Sequence, residues 1–235
     1  MSGRLLRAAL AVTLLAGCAH APADDPADPL EPVNRGIFVF NTVLDKGLVK
    51  PLAKGYDWVA PDFVRIGISN FFSNLFSPGT ILNDFLQGKG RQGAEDSARF
   101  ILNTILGVGG LFDVAQHVDL LAHDEDFGQT FGYWGVGEGW YLMIPVLGPS
   151  SNRDLFGRVG DTFTNPLSYV DEAVALAGNG IYAVERRAQL LGADALIEQQ
   201  LDAYIFIRSV YLQSRQNAVY DGSPPKEDYG FDEDE

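Results

Sequence analysis

The chain has 235 residues, a formal net charge of −14, 46% hydrophobic residues and a single cysteine. An acidic chain of this kind argues against nucleic-acid binding, and one cysteine rules out a disulfide framework. Its length suits one domain with a real core or two small ones.

The first eighteen residues read as an address. Arg4 and Arg7 precede the apolar run Ala8 to Leu15, and Ala16-Gly17 leads into Cys18. The run is too short to span a bilayer and ends in small residues, as in a secretory signal. Leu15-Ala16-Gly17-Cys18 resembles the lipobox of bacterial lipoproteins, so cleavage after residue 17 and acylation of Cys18 are expected. Residue 19 is Ala, not the Asp often tied to inner-membrane retention, and outer-membrane sorting is favoured. Residues 18–29, rich in Pro, Ala and Asp, read as a flexible tether.

From Pro32 the pattern turns helical. Val33, Ile37, Phe40 and Leu44 share one face, with Gly47 as the expected stop. Pro51 and Pro61 divide the next stretch into Leu52–Ala60 and Phe63–Phe76, with Pro78-Gly79 ending the second and Thr80–Leu86 forming a brief helix. Gly88 to Gly93 reads as a turn, followed by a helix over Ala94–Leu106 capped by Gly107. Phe71-Phe72-Ser73-Asn74-Leu75-Phe76 is apolar on more than one helical face. That implies burial on both sides, or a helix lying in a membrane interface.

The segment Phe127 to Asp154 fits neither a plain helix nor a plain strand. Glycines at 128, 132, 135, 137, 139 and 148 are interspersed with Phe131, Tyr133, Trp134, Trp140 and Tyr141. Gly137-Glu138-Gly139, lying between Tyr133-Trp134 and the apolar run Trp140 to Val146, suggests a hairpin-like excursion. Such a segment is either a loop packed on a core or a mobile element at an apolar interface. Helices are expected again over about 167–191 and 193–220. Residues 221–235 carry seven acids and one lysine and read as a disordered tail.

Few chemical motifs survive inspection. Gly88-Lys89-Gly90-Arg91-Gln92-Gly93 matches G-x-G-x-x-G, but a dinucleotide site needs a preceding strand, and Ile81 to Gln87 reads as helix. His117, Asp119, His123, Asp124, Glu125 and Asp126 have the spacing of neither a zinc motif nor an EF-hand, and a solvated acidic turn accounts for them. G-x-S-x-G and H-E-x-x-H are absent. No cofactor, no metal and no enzymatic activity are expected. After the signal no apolar run is long enough for a transmembrane helix.

A longer spaced pattern is more specific than any of these motifs. It begins at Asp28-Pro29-Leu30-Glu31-Pro32-Val33-Asn34-Arg35 and continues through Phe38, Phe40-Asn41 and Leu44-Asp45. Asn70-Phe71-Phe72, Asn74-Leu75, Leu86-Gln87-Gly88, Arg99-Phe100, Asn103-Thr104, Gly107 to Gly110 and Asp113 follow. Asp126-Phe127-Gly128-Gln129-Thr130, Gly132, Trp134-Gly135-Val136-Gly137, Pro145, Leu147-Gly148-Pro149-Ser150 and Arg153-Asp154 complete it. The pattern resembles the MlaA/VacJ family of outer-membrane lipoproteins, departing from it at Trp140, where Pro is the family's usual residue.

The resemblance implies an all-α fold, a ring-like bundle of short amphipathic helices with a Gly/aromatic hairpin-like loop, embedded in the inner leaflet of the outer membrane. It also implies a central amphipathic channel, association with a trimeric porin, and transfer of mislocalised phospholipid to the periplasmic carrier MlaC. On that basis Cys18 is the lipid attachment site. Phe40, Asn41, Gly132, Trp134, Gly135, Gly137 and Tyr141 are the channel or loop candidates, and residues 30–220 form the helical domain. The rival readings are an envelope lipid or glycan hydrolase and a structural lipoprotein scaffold.

Overall fold

The structure is a computed structural model and describes residues 28–225. The signal, Cys18 and most of the tether lie outside the described residues, as does the tail beyond Pro225. The architecture is helical with one small antiparallel hairpin. Helices α1 (Glu31–Leu44), α2 (Lys50–Val59), α3 (Asp62–Leu86) and α4 (Gly90–Ile105) come first. They are followed by α5 (Phe127–Tyr133), strands β1 (Tyr141–Ile144) and β2 (Gly148–Ser151), and α6 (Asn152–Thr164). Helices α7 (Glu172–Gln189), α8 (Asp194–Glu198) and α9 (Ala203–Val219) close the fold. Among the described residues no helix is long and apolar enough to cross a membrane.

Several expected breaks are bridged. Gly47 does not stop the first helix: residues Asp45–Val49 form a π turn, in which the Lys50 N–H reaches the Asp45 carbonyl, and the chain runs on into α2. The wider turn places Pro51, which has no N–H, near the start of a new helical segment, where such a donor is dispensable. Pro78 also fails to end its helix, and α3 passes straight through it. Packing against α4, the main partner of α3, together with the Phe72 and Phe76 rings against Tyr182 of α7, outweighs the lost hydrogen bond.

The Gly88–Gly93 turn is shorter than expected. Gly88 alone takes a left-handed conformation, at φ +75°, and Lys89 N–H closes back on the Asp84 carbonyl. Helix α4 already begins at Gly90. Gly93 is a contact residue, since a Cβ there would stand 3.0 Å from the Phe85 ring. In the C-terminal half, Asn165 and Asp171 cap new starts, so the expected 167–191 helix is a short 3₁₀ turn followed by α7. Asp202 caps α9, accepting from the N–H groups of Tyr204 and Ile205, and divides the expected 193–220 helix in two.

The segment 127–154 holds more regular structure than its composition suggested. The hairpin is real, but its turn is Pro145-Val146-Leu147, with Tyr141 opposite Ser151 and Ile144 opposite Gly148. Asp126 and Ser151 each accept a backbone N–H at the start of a helix, and these caps position α5 and α6 on either side of the hairpin. The apolar cluster of buried residues is Tyr141, Met143 and Tyr204, flanked by Ile37, Phe38, Ile205, Tyr211 and Leu212. The hairpin thus lies between α1 and α9.

Candidate functional site

Strand β1 has β2 on one edge and asparagine amides on the other. Asn34 Nδ2 donates to the Tyr141 carbonyl at 3.0 Å, and Asn34 Oδ1 accepts from Met143 N at 2.8 Å. Two helical turns on, Asn41 Nδ2 donates to the Ile144 carbonyl at 2.9 Å and its Oδ1 accepts from Val146 N at 2.7 Å. Residues seven apart share a helix face, so α1 stands in for a third strand. Asn41, expected at a channel wall, holds the hairpin tip. Val146 sits at φ +69°, a strained conformation for a β-branched residue, and Asn41 holds its N–H there.

The base of α1 is tied down by a residue the sequence placed in the tether. Asp28 is buried, and accepts from Asn34 Nδ2 at 2.8 Å, from Arg208 Nη1 at 2.9 Å and from the Tyr204 hydroxyl. Asp28 is therefore packed into the fold.

Arg215 of α9 gathers the other end of the segment. It binds Asp126 through both terminal nitrogens, at 2.7 and 2.8 Å, and reaches Asp154 through Nε at 2.8 Å. Arg153 Nε and the Tyr211 hydroxyl complete Asp154. Burial opposes the charge on Asp126, but Arg215 outweighs it and holds the carboxyl below its ordinary range. The Tyr211 hydroxyl is pushed up by burial and by Asp154. From the opposite side, Gln87 donates to Glu125 at 2.8 Å and Thr130 donates to Asn83 at 2.7 Å, so α5 is stitched to the end of α3. Sequence reasoning did not single out Arg215. Its visible signal is its place on the helical face shared with Tyr204, Arg208 and Tyr211.

The remaining candidates separate. A Cβ on Gly132 would stand 2.7 Å from Val219 and 3.0 Å from Arg153, so this glycine permits close packing. Gly135 ends α5 at φ +89° with open space around it, and Gly137 also faces open space. Tyr141 is wholly buried in the core and presents nothing to a passing molecule in this conformation. Phe40 and Trp134 are about half exposed, and Trp134 Nε1 donates to the Leu86 carbonyl at 3.0 Å.

The acidic turn is divided among several partners. His123 Nδ1 lies 2.7 Å from Asp96, His117 faces the Asp113 carbonyl, and Asp126 belongs to Arg215. No group of His, Cys, Asp and Glu suited to a metal occurs among the described residues. Behind it, Asp84 is completely buried with no donor on either oxygen, and burial beside Asp96 and Glu125 lifts its carboxyl to about 7.

The exterior is the inverse of this interior. Trp58, Val59 and Phe63 are at least 70% exposed, and Ile105, Phe112, Leu121, Phe156 and Phe163 are similarly uncovered. Among the fully buried side chains of the described residues, polar ones outnumber apolar ones. Water is a poor solvent for such side chains, and exposed apolar area on this scale suits contact with membrane or protein.

Buried polar networks, exposed apolar side chains and, among the described residues, no helix long and apolar enough to cross a bilayer are consistent with a protein associated with one face of a membrane. The chain belongs to the MlaA lipoprotein family, whose profile matches residues 26–218. It is 40% identical over 232 residues to the intermembrane phospholipid transport system lipoprotein MlaA of Escherichia coli K12, covering 96% of this chain and 92% of that one. The lipoprotein of the same description from Haemophilus influenzae is 33% identical over 227 residues, covering 93% and 91%. A chain solved in work on the structural basis for maintenance of bacterial outer membrane lipid asymmetry superposes with a TM-score of 0.75 at 39% identity, covering 82% of this chain and 98% of that one.

Proposed function

We propose that this chain is the outer-membrane lipoprotein of a lipid-asymmetry pathway, taking phospholipid mislocalised in the outer leaflet and passing it through an amphipathic path to a soluble periplasmic carrier such as MlaC. The observation that carries this reading is the inverted distribution of side chains, in a family whose named relatives are phospholipid transport lipoproteins. A lipid path must accept a charged headgroup and acyl tails together. The segment around α5 and the hairpin offers both, with Phe40, Trp134 and Trp140 half exposed beside a polar, hydrogen-bonded base.

Cys18 would anchor the chain to the inner leaflet, and a trimeric porin would be the partner that gives access to the outer one. One acyl chain alone holds a protein only marginally, at ~0.8 kcal/mol per buried CH₂, so several chains and the apolar faces act together. The reading is tested by deleting the gene in its host and measuring outer-leaflet phospholipid. Surface phospholipid is expected to rise, to fall again on complementation with the intact chain, and to stay high with Cys18→Ser. An unchanged surface after deletion would overturn it.

A further inference from the structure

A cavity of about 340 Å³ opens between α2, α3 and α7, lined among others by Tyr56, Arg65, Ser69, Asn70, Glu185 and Gln189. It lies at the small end of the range for small-molecule sites. Glu185 is only 3% exposed, its hydrogen bond comes from Gln189 Nε2, and no Lys, Arg or His among the described residues forms an ion pair with it. A buried carboxylate left without a cation is costly, so its position calls for a positive partner.

Arg65 supplies the complementary feature. Its terminal nitrogens are occupied by Asp57 and Asp62, while its Nε is buried without an acceptor, and the Tyr56 hydroxyl is buried without any partner. The charged groups of the lining are one carboxylate, Glu185, and one guanidinium, Arg65, the complement of a zwitterion. The cavity's surroundings are apolar, with Ile66 on its wall and Trp58 and Phe63 exposed on the flanking helices.

We propose that this cavity binds the headgroup of an aminophospholipid of the phosphoethanolamine class, with its ammonium on Glu185 and Tyr56, its phosphate on Arg65 Nε, and its acyl chains along Ile66 and Phe63. A primary ammonium offers N–H donors that Glu185 can accept. A trimethylammonium offers none, and a glycerol headgroup brings no cation. The inference rests on the phospholipid reading above.

The test offers the full-length lipoprotein, purified in mild detergent, vesicles of equal phosphatidylethanolamine, phosphatidylglycerol and phosphatidylcholine, and identifies the retained lipid by mass spectrometry. Phosphatidylethanolamine is expected to be enriched roughly tenfold, the worth of one charge-assisted hydrogen bond. Glu185→Gln keeps an acceptor for Gln189 and should bring the retained lipid back to the offered ratio. Tyr56→Phe should give a smaller loss of preference. Lipid retained with no preference, or a preference unchanged in Glu185→Gln, would overturn the headgroup site alone. No retained phospholipid of any class would overturn this site and the transport reading together. Soluble glycerophosphoethanolamine should fail to displace the lipid at equal concentration, and displacement by it would overturn the lipid assignment in favour of a soluble zwitterion.

Discussion

The region built around α5, the hairpin and α6 and the outer faces of α1 to α3 are stabilised by opposite means. In the first, buried Asp, Asn, Gln, Thr and Arg side chains are joined by named hydrogen bonds, and a single removal strands a partner. In the second, Trp58, Val59 and Phe63 touch little and gain nothing from folding alone. The contrast shows which side chains serve the fold and which serve its surroundings.

The sharpest way to break the stitched region is Arg215→Ala. It leaves Asp126 and Asp154 without their shared cation, and about 3–5 kcal/mol should be lost, read as a large fall in thermal midpoint in mild detergent. Asn34→Ala comes next. It frees the Tyr141 carbonyl, the Met143 N–H and one bond of Asp28 in the core, for a loss of about 1–3 kcal/mol. Asn41→Ala, at the exposed tip, should cost clearly less, and an equal cost would contradict the picture of one buried and one exposed clamp.

The acidic pocket behind α5 gives a pH signature. Burial raises Asp84 to about 7 and Asp161 to about 6, so the folded chain holds protons that the unfolded chain releases near 4. Both contributions are fully present below the unfolded value and are lost as pH rises, Asp161 by about 6 and Asp84 by about 7. Asp126, held low by Arg215, has the opposite sign, and its contribution is lost as pH falls below the ordinary carboxylate range. Stability should therefore decline between pH 4 and 7, and Asp84→Asn should flatten the stretch from 6 to 7.

Two small effects complete the contrast. Gly137→Ala meets open space and should change stability by less than about 0.5 kcal/mol, whereas Gly135→Ala must hold φ +89° and should cost about 1 kcal/mol or more. Trp58→Ser should leave unfolding in detergent within about 0.5 kcal/mol while weakening retention in outer-membrane fractions. A large stability loss there would mean that the exposed face is part of the core after all.

Helical periodicity and the long spaced motif were legible because they depend on neighbours a few residues apart, whereas the caps at Asp126 and Ser151 went unread although their spacing is just as local. Asp126 three residues before Gln129 and Ser151 three before Asp154 are local chemistry, and the Asn34/Asn41 spacing already puts both amides on one face. Even so, the sequence could not say that this face meets a strand edge 107 residues away. Pro78 and Gly47 misled because local rules state a cost and not the packing that outweighs it. The glycines of 127–154 looked alike, yet Gly128 and Gly132 are fixed by close contacts from α6 and α9, while Gly135 and Gly137 face open space. Periodicity and composition, being sums over short range, determined most of the helices, the net acidic charge and, among the described residues, that no helix is long and apolar enough to cross a membrane. Only the tertiary structure decided that Asp28 belongs to the core, that Arg215 holds two carboxylates, and that Glu185 lies buried without a cation, because burial and charge pairing are set by residues distant in the chain.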